Sequence, residues 1–247
     1  MIKFFSFLFV CMGLSCQMQA QSKFFVFAKA QKHWGTNTTD FNPSLLSGTY
    51  KTNSVAMGPG SELNAGLGYF FTEIFGIDLS AVYHQGDQLD INNTMSLISS
   101  GKTKVAQESF KTNYVCLQPS FMLNFELSKK VAIYIKSGLV IPVYLNTNYS
   151  YVLNSETFNY NLSSKFNIGF NGMVGLAYKL SSKLFLTVEM EEWNLASRFD
   201  KGTAADKTVS TDFVFVDKLD PALQNEVLSF PVPFNKIGFN LGLRYRF

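Results

Sequence analysis

Along this chain apolar and polar residues alternate one for one in a series of segments, and a period of two predicts strands with different chemistry on their two faces. The clearest segment runs from Ile237 to Phe247. Ile237, Phe239, Leu241, Leu243, Tyr245 and Phe247 take the odd positions there, and Gly238, Asn240, Gly242, Arg244 and Arg246 the even ones. Phe75 to Gly86 sets Phe75, Ile77, Leu79, Ala81 and Tyr83 against Gly76, Asp78, Ser80 and His84. Phe166 to Lys179 sets Phe166, Ile168, Phe170, Val174, Leu176 and Tyr178 against Asn167, Gly169, Asn171, Gly175, Ala177 and Lys179. Segments 61–71, 111–127, 131–146 and 183–195 read the same way. Segment 22–33 is apolar enough, but Phe24, Phe25, Val26 and Phe27 are contiguous and leave its phase open. About eight strands result, most at or above the roughly 9–11 residues with which a tilted strand crosses a bilayer.

The links between these segments are of two kinds. Thr72-Glu73-Ile74, Ser128-Lys129-Lys130 and Ser181-Ser182-Lys183 are tight turns, whereas 34–60, 87–109, 147–164 and 196–235 are long, polar and rich in Asn, Ser, Thr and Gly. Short and long links alternate strictly. An up-and-down barrel with an even number of strands sorts its links in this way, short turns on the periplasmic side and long loops outside. A soluble sandwich has no reason to do so, and a lipocalin-like barrel would turn its apolar face inward around a ligand. The face opposite the apolar one carries Glu62, Asp78, Gln118, Asn124, Lys136, Asn167, Asn171, Glu189, Glu191, Asn240 and Arg244. That set is too polar for a core and too poor in charge for a surface in water, so it suits a closed lumen. Charges in a narrow lumen are desolvated, and Lys136 and Arg244 are expected to pair with Glu62, Asp78, Glu189 and Glu191. Eight strands leave an interior just filled by side chains, so no open water-filled pore is expected.

Composition points the same way. Of the 247 residues 47% are hydrophobic and only 16% charged, and Phe alone occurs 25 times; an ordinary soluble domain carries roughly 25% charged residues. The surplus of Phe is accounted for if it faces lipid. A net charge of +3, with its Lys and Arg scattered, argues against nucleic acid as a partner. Lys3, the apolar run Phe4 to Leu14, and Gln17-Met18-Gln19-Ala20 read as a signal peptide over 1–20, cut after Ala20, with the barrel domain over 21–247. Cys16 in Gly13-Leu14-Ser15-Cys16 resembles a lipoprotein cleavage site, from which Gly13 departs. After a cut at Ala20 only Cys116 remains, and it reads as a small residue inside a strand. Beyond residue 21 no apolar run reaches the roughly 18 residues of a spanning helix; the best, Val131 to Leu145, is interrupted by Lys136 and Ser137.

At the last strand the chain resembles the small outer-membrane β-barrel family, of the OmpX-like, OmpA-like and OmpW-like kind. The residues that carry the likeness are Phe239, Leu241, Leu243, Tyr245 and Phe247. The resemblance implies that these five form the signal read by the barrel-assembly machinery. It extends through loop asymmetry and strand count over most of the chain, and Phe230-Pro231-Val232-Pro233-Phe234-Asn235 adds a weaker likeness to barrels of the Bacteroidetes type.

Candidate chemistry is sparse. His33 and His84 fall near the outer ends of their strands, where an outer-rim lipid-modifying enzyme would need a base, but no hydrolase or acyltransferase motif surrounds them. Glu189 and Glu191, two apart on one face, read as half of a lumenal ion network rather than an acid–base pair. Trp34, Trp193, Tyr50, Tyr69, Tyr83, Tyr144, Tyr149 and Tyr151 read as interfacial girdles rather than a sugar-binding stripe. Phe213, Phe215, Leu219 and Leu223 read as a loop folded on itself or covering the mouth. No cofactor or metal set is expected. The expectation is an all-β, eight-stranded antiparallel up-and-down transmembrane β-barrel in the outer membrane. It is expected to be monomeric, without catalysis, and to have a structural or surface-interaction role. Its expected partners are outer-membrane lipid, the assembly machinery and something outside the cell met through the loops. The alternatives to that role are a narrow conduit for small or hydrophobic solutes and an outer-rim lipid-modifying enzyme.

Overall fold

In the computed structural model, residues 23–247 are described except 37–38, 42–48, 51–52, 56, 98–101, 154, 166, 207–210, 217–225 and 229–230. The signal-peptide segment, Phe166, Leu219 and Leu223 lie outside the described residues, and the side chains of Tyr50 and Phe215 do too. Eight long strands form the wall: β1 Phe24–Gly35, β2 Gly60–Phe70, β3 Phe75–Gly86, β4 Lys102–Glu126, β5 Val131–Leu153, β6 Gly169–Lys179, β7 Leu184–Asn194 and β8 Lys236–Arg246. Each pairs antiparallel with its neighbours in sequence. Pairing of β1 with β8, from Phe25 with Arg246 to Gly35 with Lys236, closes the barrel.

Alternation fixes which residues face out. Val26, Leu67, Leu79, Phe121, Ile135, Val174, Val188 and Leu241 turn their side chains away from the lumen and are 41% to 58% exposed, an outward apolar band of the kind that faces lipid in membrane barrels. The open phase of the first segment resolves as Phe25, Phe27, Lys29, Gln31 and His33 inward. At the short-turn end Phe24 and Tyr69 pack with ring centres 4.8 Å apart, and at the other end Trp34 meets Phe239 edge-on.

All three short turns are built alike. Thr72 Oγ1 accepts from the amides of Ile74 and Phe75, Ser128 Oγ from those of Lys130 and Val131, and Ser181 Oγ from those of Lys183 and Leu184. A hydroxyl at the first turn position thus supplies acceptors for amides that the ladder leaves over.

The long links depart from the expected polar loops, because much of them is strand. Strands β4 and β5 continue well beyond the apolar band, and Leu89–Leu97, Glu156–Ser164 and Ala196–Ala204 extend the same sheet to either side. Thr, Tyr and Phe take alternate positions in the two long strands there, as Phe110, Thr112 and Tyr114 and as Thr147, Tyr149 and Tyr151, and these residues favour extended backbone even in a polar stretch. A bulge marks the change of zone: Val115 pairs with Tyr144 while Cys116 pairs with Pro142. Val143 is the extra residue. Below it the even residues Lys136 and Val140 point inward, and above it the odd residues Thr147 and Tyr149 do.

Candidate functional site in the barrel lumen

The lumen is filled in layers from the turn end to the outer end. Lowest sits Arg244, whose guanidinium lies 4.5 Å from the Tyr134 ring centre and 5.1 Å from that of Phe25. Rings and the sulfur of Met122 hold it, and it forms no ion pair among the described residues. Next come two ion pairs between strands far apart in sequence. Lys136 Nζ is 2.8 Å from Asp78 Oδ2, and Lys29 Nζ is 2.7 Å from Glu189 Oε2. Glu189 also accepts from the Tyr134 hydroxyl and, at 3.1 Å, from Asn240 Nδ2.

The third layer centres on Glu191. Its partners are neutral: Trp193 Nε1, Asn171 Nδ2 at 3.0 Å, Gln118 Nε2 at 3.3 Å and Asn240 Nδ2 at 3.1 Å. Several neutral donors spread the charge of a buried carboxylate without a cation.

The fourth layer gathers side chains from five strands around Glu62. Lys236 Nζ donates to Glu62 Oε1 and, at 2.7 Å, to the Tyr114 hydroxyl, which in turn donates to Oε1 at 3.0 Å. His84 Nδ1 donates to the same oxygen at 2.9 Å, and His33 Nε2 lies 2.9 Å from both Glu62 Oε2 and Gln31 Oε1. Both facing atoms are acceptors, so His33 Nε2 carries the hydrogen. The ammonium of Lys236 also sits over the Trp193 ring, 3.4 Å from its centre. Gly60 and Gly238 make room for the imidazoles: a Cβ at Gly60 would come 2.6 Å from His84 Cε1, and one at Gly238 would come 2.3 Å from His33 Nδ1. Above this layer Trp193, Leu195, Val232, Phe234, Met57, Phe110 and Val140 form one buried apolar cap.

Six residues read from the sequence as lumenal charges, Glu62, Asp78, Lys136, Glu189, Glu191 and Arg244, are all buried inside the barrel. The structure pairs Lys136 with Asp78 but gives Arg244 and Glu191 no charged partner among the described residues. The cations on Glu189 and Glu62 are instead Lys29 and Lys236. Lys29 shares the parity of Phe25 and Phe27, a signal hidden by the four contiguous apolar residues; Lys236 falls between the long link ending at 235 and the segment starting at Ile237.

Other placements differ from expectation. Asn167 is exposed at the end of its segment, where its amide donates to the Ala196 carbonyl. His33 and His84 have no exposed surface and point into the lumen instead of lying on the outer rim. Trp193 belongs to the lumen, with the parity of Glu189 and Glu191, while Trp34, Tyr83 and Tyr144 face outward. Tyr149 and Tyr151 stand above the membrane in a ladder of rings: Tyr149 stacks on Phe110 at 4.7 Å and Tyr151 on Phe158 at 4.6 Å. Their faces cover one another, which leaves little for a sugar to stack on. Phe213 is buried edge-on against Tyr160. Cys116 is a free, buried thiol. Among the described residues no acidic, His or Cys cluster is arranged for a metal; beside Glu62 and the two imidazoles the space is taken by Lys236.

The sequence matches the model of the outer membrane protein beta-barrel domain over residues 7–247. This chain belongs to the outer-membrane β-barrel protein family. The match covers nearly the whole chain and agrees with the closed wall, the apolar outer band and the polar interior, so the family's location, the outer membrane, applies here. No curated protein sequence matches. Among solved structures, Neisserial surface protein A is 12% identical, with 93% of this chain and 100% of that chain covered at a TM-score of 0.43. OprG from Pseudomonas aeruginosa is 10% identical, with 92% and 97% covered at 0.43. Escherichia coli outer membrane protein W is 16% identical, with 93% and 100% covered at 0.39.

Proposed function

We propose that this barrel is a closed structural and surface-interaction protein that passes no solute at neutral pH. The observation that carries the reading is the lumen, which holds buried side chains at every level from Arg244 through the Glu189, Glu191 and Glu62 layers to Phe234. A chain leaving the cytoplasm on residues 1–20 and recognised by the assembly machinery through Phe239, Leu241, Leu243, Tyr245 and Phe247 reaches this state. Phe247→Ala is then expected to lower the amount in the outer membrane.

The surface available to a partner is the outward side of the sheet above the membrane. Asn146, Asn148 and Ser150 face Ser163, Asn161 and Asn159 across one ladder. Amides and hydroxyls without charge suit neutral hydroxyl-rich ligands. Planar-bilayer recording on the full chain at neutral pH tests the closed lumen: absence of current fits, and steady current defeats it. An outer-rim reaction using His33 or His84 finds no support, since both imidazoles are sealed inside.

The conduit reading retains one favourable observation. The ladder between β4 and β5 pairs Leu117 with Ile141 and Ser120 with Gly138 but skips Gln118, Pro119, Leu139 and Val140 between them. Pro119 has no amide hydrogen to donate there, which weakens the wall at mid-membrane. A disulfide between cysteines placed at Leu117 and Ile141 should slow passage of an apolar solute into vesicles if the seam opens.

A further inference from the structure

The Glu62 layer does more than fill space, because the segment that caps the mouth is tied directly to it. Residues Pro231–Pro233 pair with Ala196, Ser197 and Arg198, the Phe234 amide donates to the Leu195 carbonyl, and the Leu195 amide donates to Asn235 Oδ1. Met57 is drawn in by its amide to the Pro233 carbonyl, and Thr36 by its amide to the Asn235 carbonyl. Two residues after Phe234, which has no exposed surface, Lys236 enters the lumen and meets Glu62.

We infer that Glu62, His33, His84 and Lys236 form an acid-sensitive latch that holds the apolar cap in the barrel mouth and releases it when the imidazoles take up protons. The charge balance sets the sign. One carboxylate, Glu62, is matched by one ammonium, Lys236, and both imidazoles are neutral in that count. A proton on either ring puts a second cation next to Lys236 where no water reaches. The surrounding groups do not absorb it. His33 also faces Lys29 and Lys32 on its own strand. His84 stacks flat on Tyr114 of β4 at 4.2 Å and faces Lys32 and Asp87. Asp87 is already taken by Lys32 at 2.9 Å, and Glu191 of β7 by its four neutral donors. Cys116 of β4 is a neutral thiol in the same region. With the cap displaced, water reaches the imidazoles and they titrate at an ordinary value of about 6.5. The open form then binds more protons, so acid favours it. Each imidazole raises the open-to-closed ratio by at most about tenfold per pH unit below that value, and the two together by at most about a hundredfold.

The latch rests on the closed lumen proposed above, and one experiment separates them. The sequence has two tryptophans, Trp34 facing lipid and Trp193 under the cap. The full chain carrying Trp34→Phe, folded in phospholipid vesicles, reports on Trp193 alone through quenching by acrylamide. Quenching is expected to be weak at about pH 8, to rise several-fold at about pH 4, and to fall again on return. The rise should vanish when His33→Gln and His84→Gln are added. Strong quenching already at about pH 8 overturns the closed lumen and the latch with it. Weak quenching that stays weak in acid, or a rise of the same size without the imidazoles, overturns the latch alone. If the double variant loses its fold, as judged by gel migration before and after boiling, Lys236→Met serves instead. It removes the cation the proton acts against, so a closed site can hold one proton beside Glu62 and the acid response should shrink at least tenfold; an unchanged response overturns the latch.

Discussion

Lys29 on β1 and Glu189 on β7 meet at 2.7 Å across β8, which lies between them in the wall, and both side chains are sealed from solvent. Removing one partner leaves a buried charge alone. Lys29→Met is therefore expected to destabilise the barrel by about 3–5 kcal/mol, read as a lower urea midpoint in micelles. Lys29→Met with Glu189→Leu should recover much of that loss, because neither charge is then stranded. Equal losses in the single and the double variant would show that the pair itself, and not the orphaned carboxylate, supplies the stability.

The outward band predicts a different sensitivity. Leu241 lies mid-strand on β8, paired with Ala30 and Val188, and is 58% exposed on the lipid side. Leu241→Arg is expected to cost about 2–4 kcal/mol in a bilayer. In a soluble protein the same exposure would make the change nearly silent, so refolding yield in vesicles against micelles is the deciding measurement.

Gly238 is set against the His33 ring and the Lys32 carbonyl, 2.6 Å from where a Cβ would stand. Gly238→Val forces the imidazole away from Glu62 or the strand away from β1, at about 1–3 kcal/mol. The temperature at which the folded band disappears from a gel should fall; an unchanged temperature would mean that the imidazole has space to retreat.

Above the membrane, burial pushes the Tyr151 phenol up to about 12, with Tyr160 and Glu108 beside it adding to the rise. A phenol held neutral in the folded sheet stabilises it fully below about pH 10, its free value, and that contribution is lost as pH climbs through about 12. The ring ladder should therefore loosen between those limits, seen in near-ultraviolet circular dichroism. Tyr151→Phe should lessen the change.

How much of this could be read from residues alone varies along the chain. β8 was legible from Ile237 onward because Phe239, Leu241, Leu243 and Tyr245 all face one uniform solvent, lipid, and nothing interrupts their parity. β1 was not, since Phe25 and Phe27 fill the narrow turn end of the lumen and are as apolar as the Phe24 and Val26 that face lipid. The lumen as a polar compartment was legible; its wiring was not. Glu62 draws on β1, β2, β3, β4 and β8, and only the closure of the barrel brings those positions to one height. Trp193 could have been assigned inward from its parity with Glu189 and Glu191, but aromatic residues near strand ends are so often interfacial that its type outweighed its phase. The sheet above the membrane escaped notice because Asn, Ser and Thr dominate its outward side and resemble loop.

The extra residue at Val143 has a consequence for insertions and deletions. Below it β5 is read by lipid and lumen, and above it by water and the ring ladder, with the inward parity exchanged. Val143 has no partner in the ladder, so losing it would join Pro142 to Tyr144 in a regular strand with every pairing kept, and Thr147 and Tyr149 would still look inward and Asn146 and Asn148 outward. The strand thus holds one residue in reserve: a deletion near this boundary is absorbed by straightening the bulge, and the exterior structure goes on presenting amides to the outside.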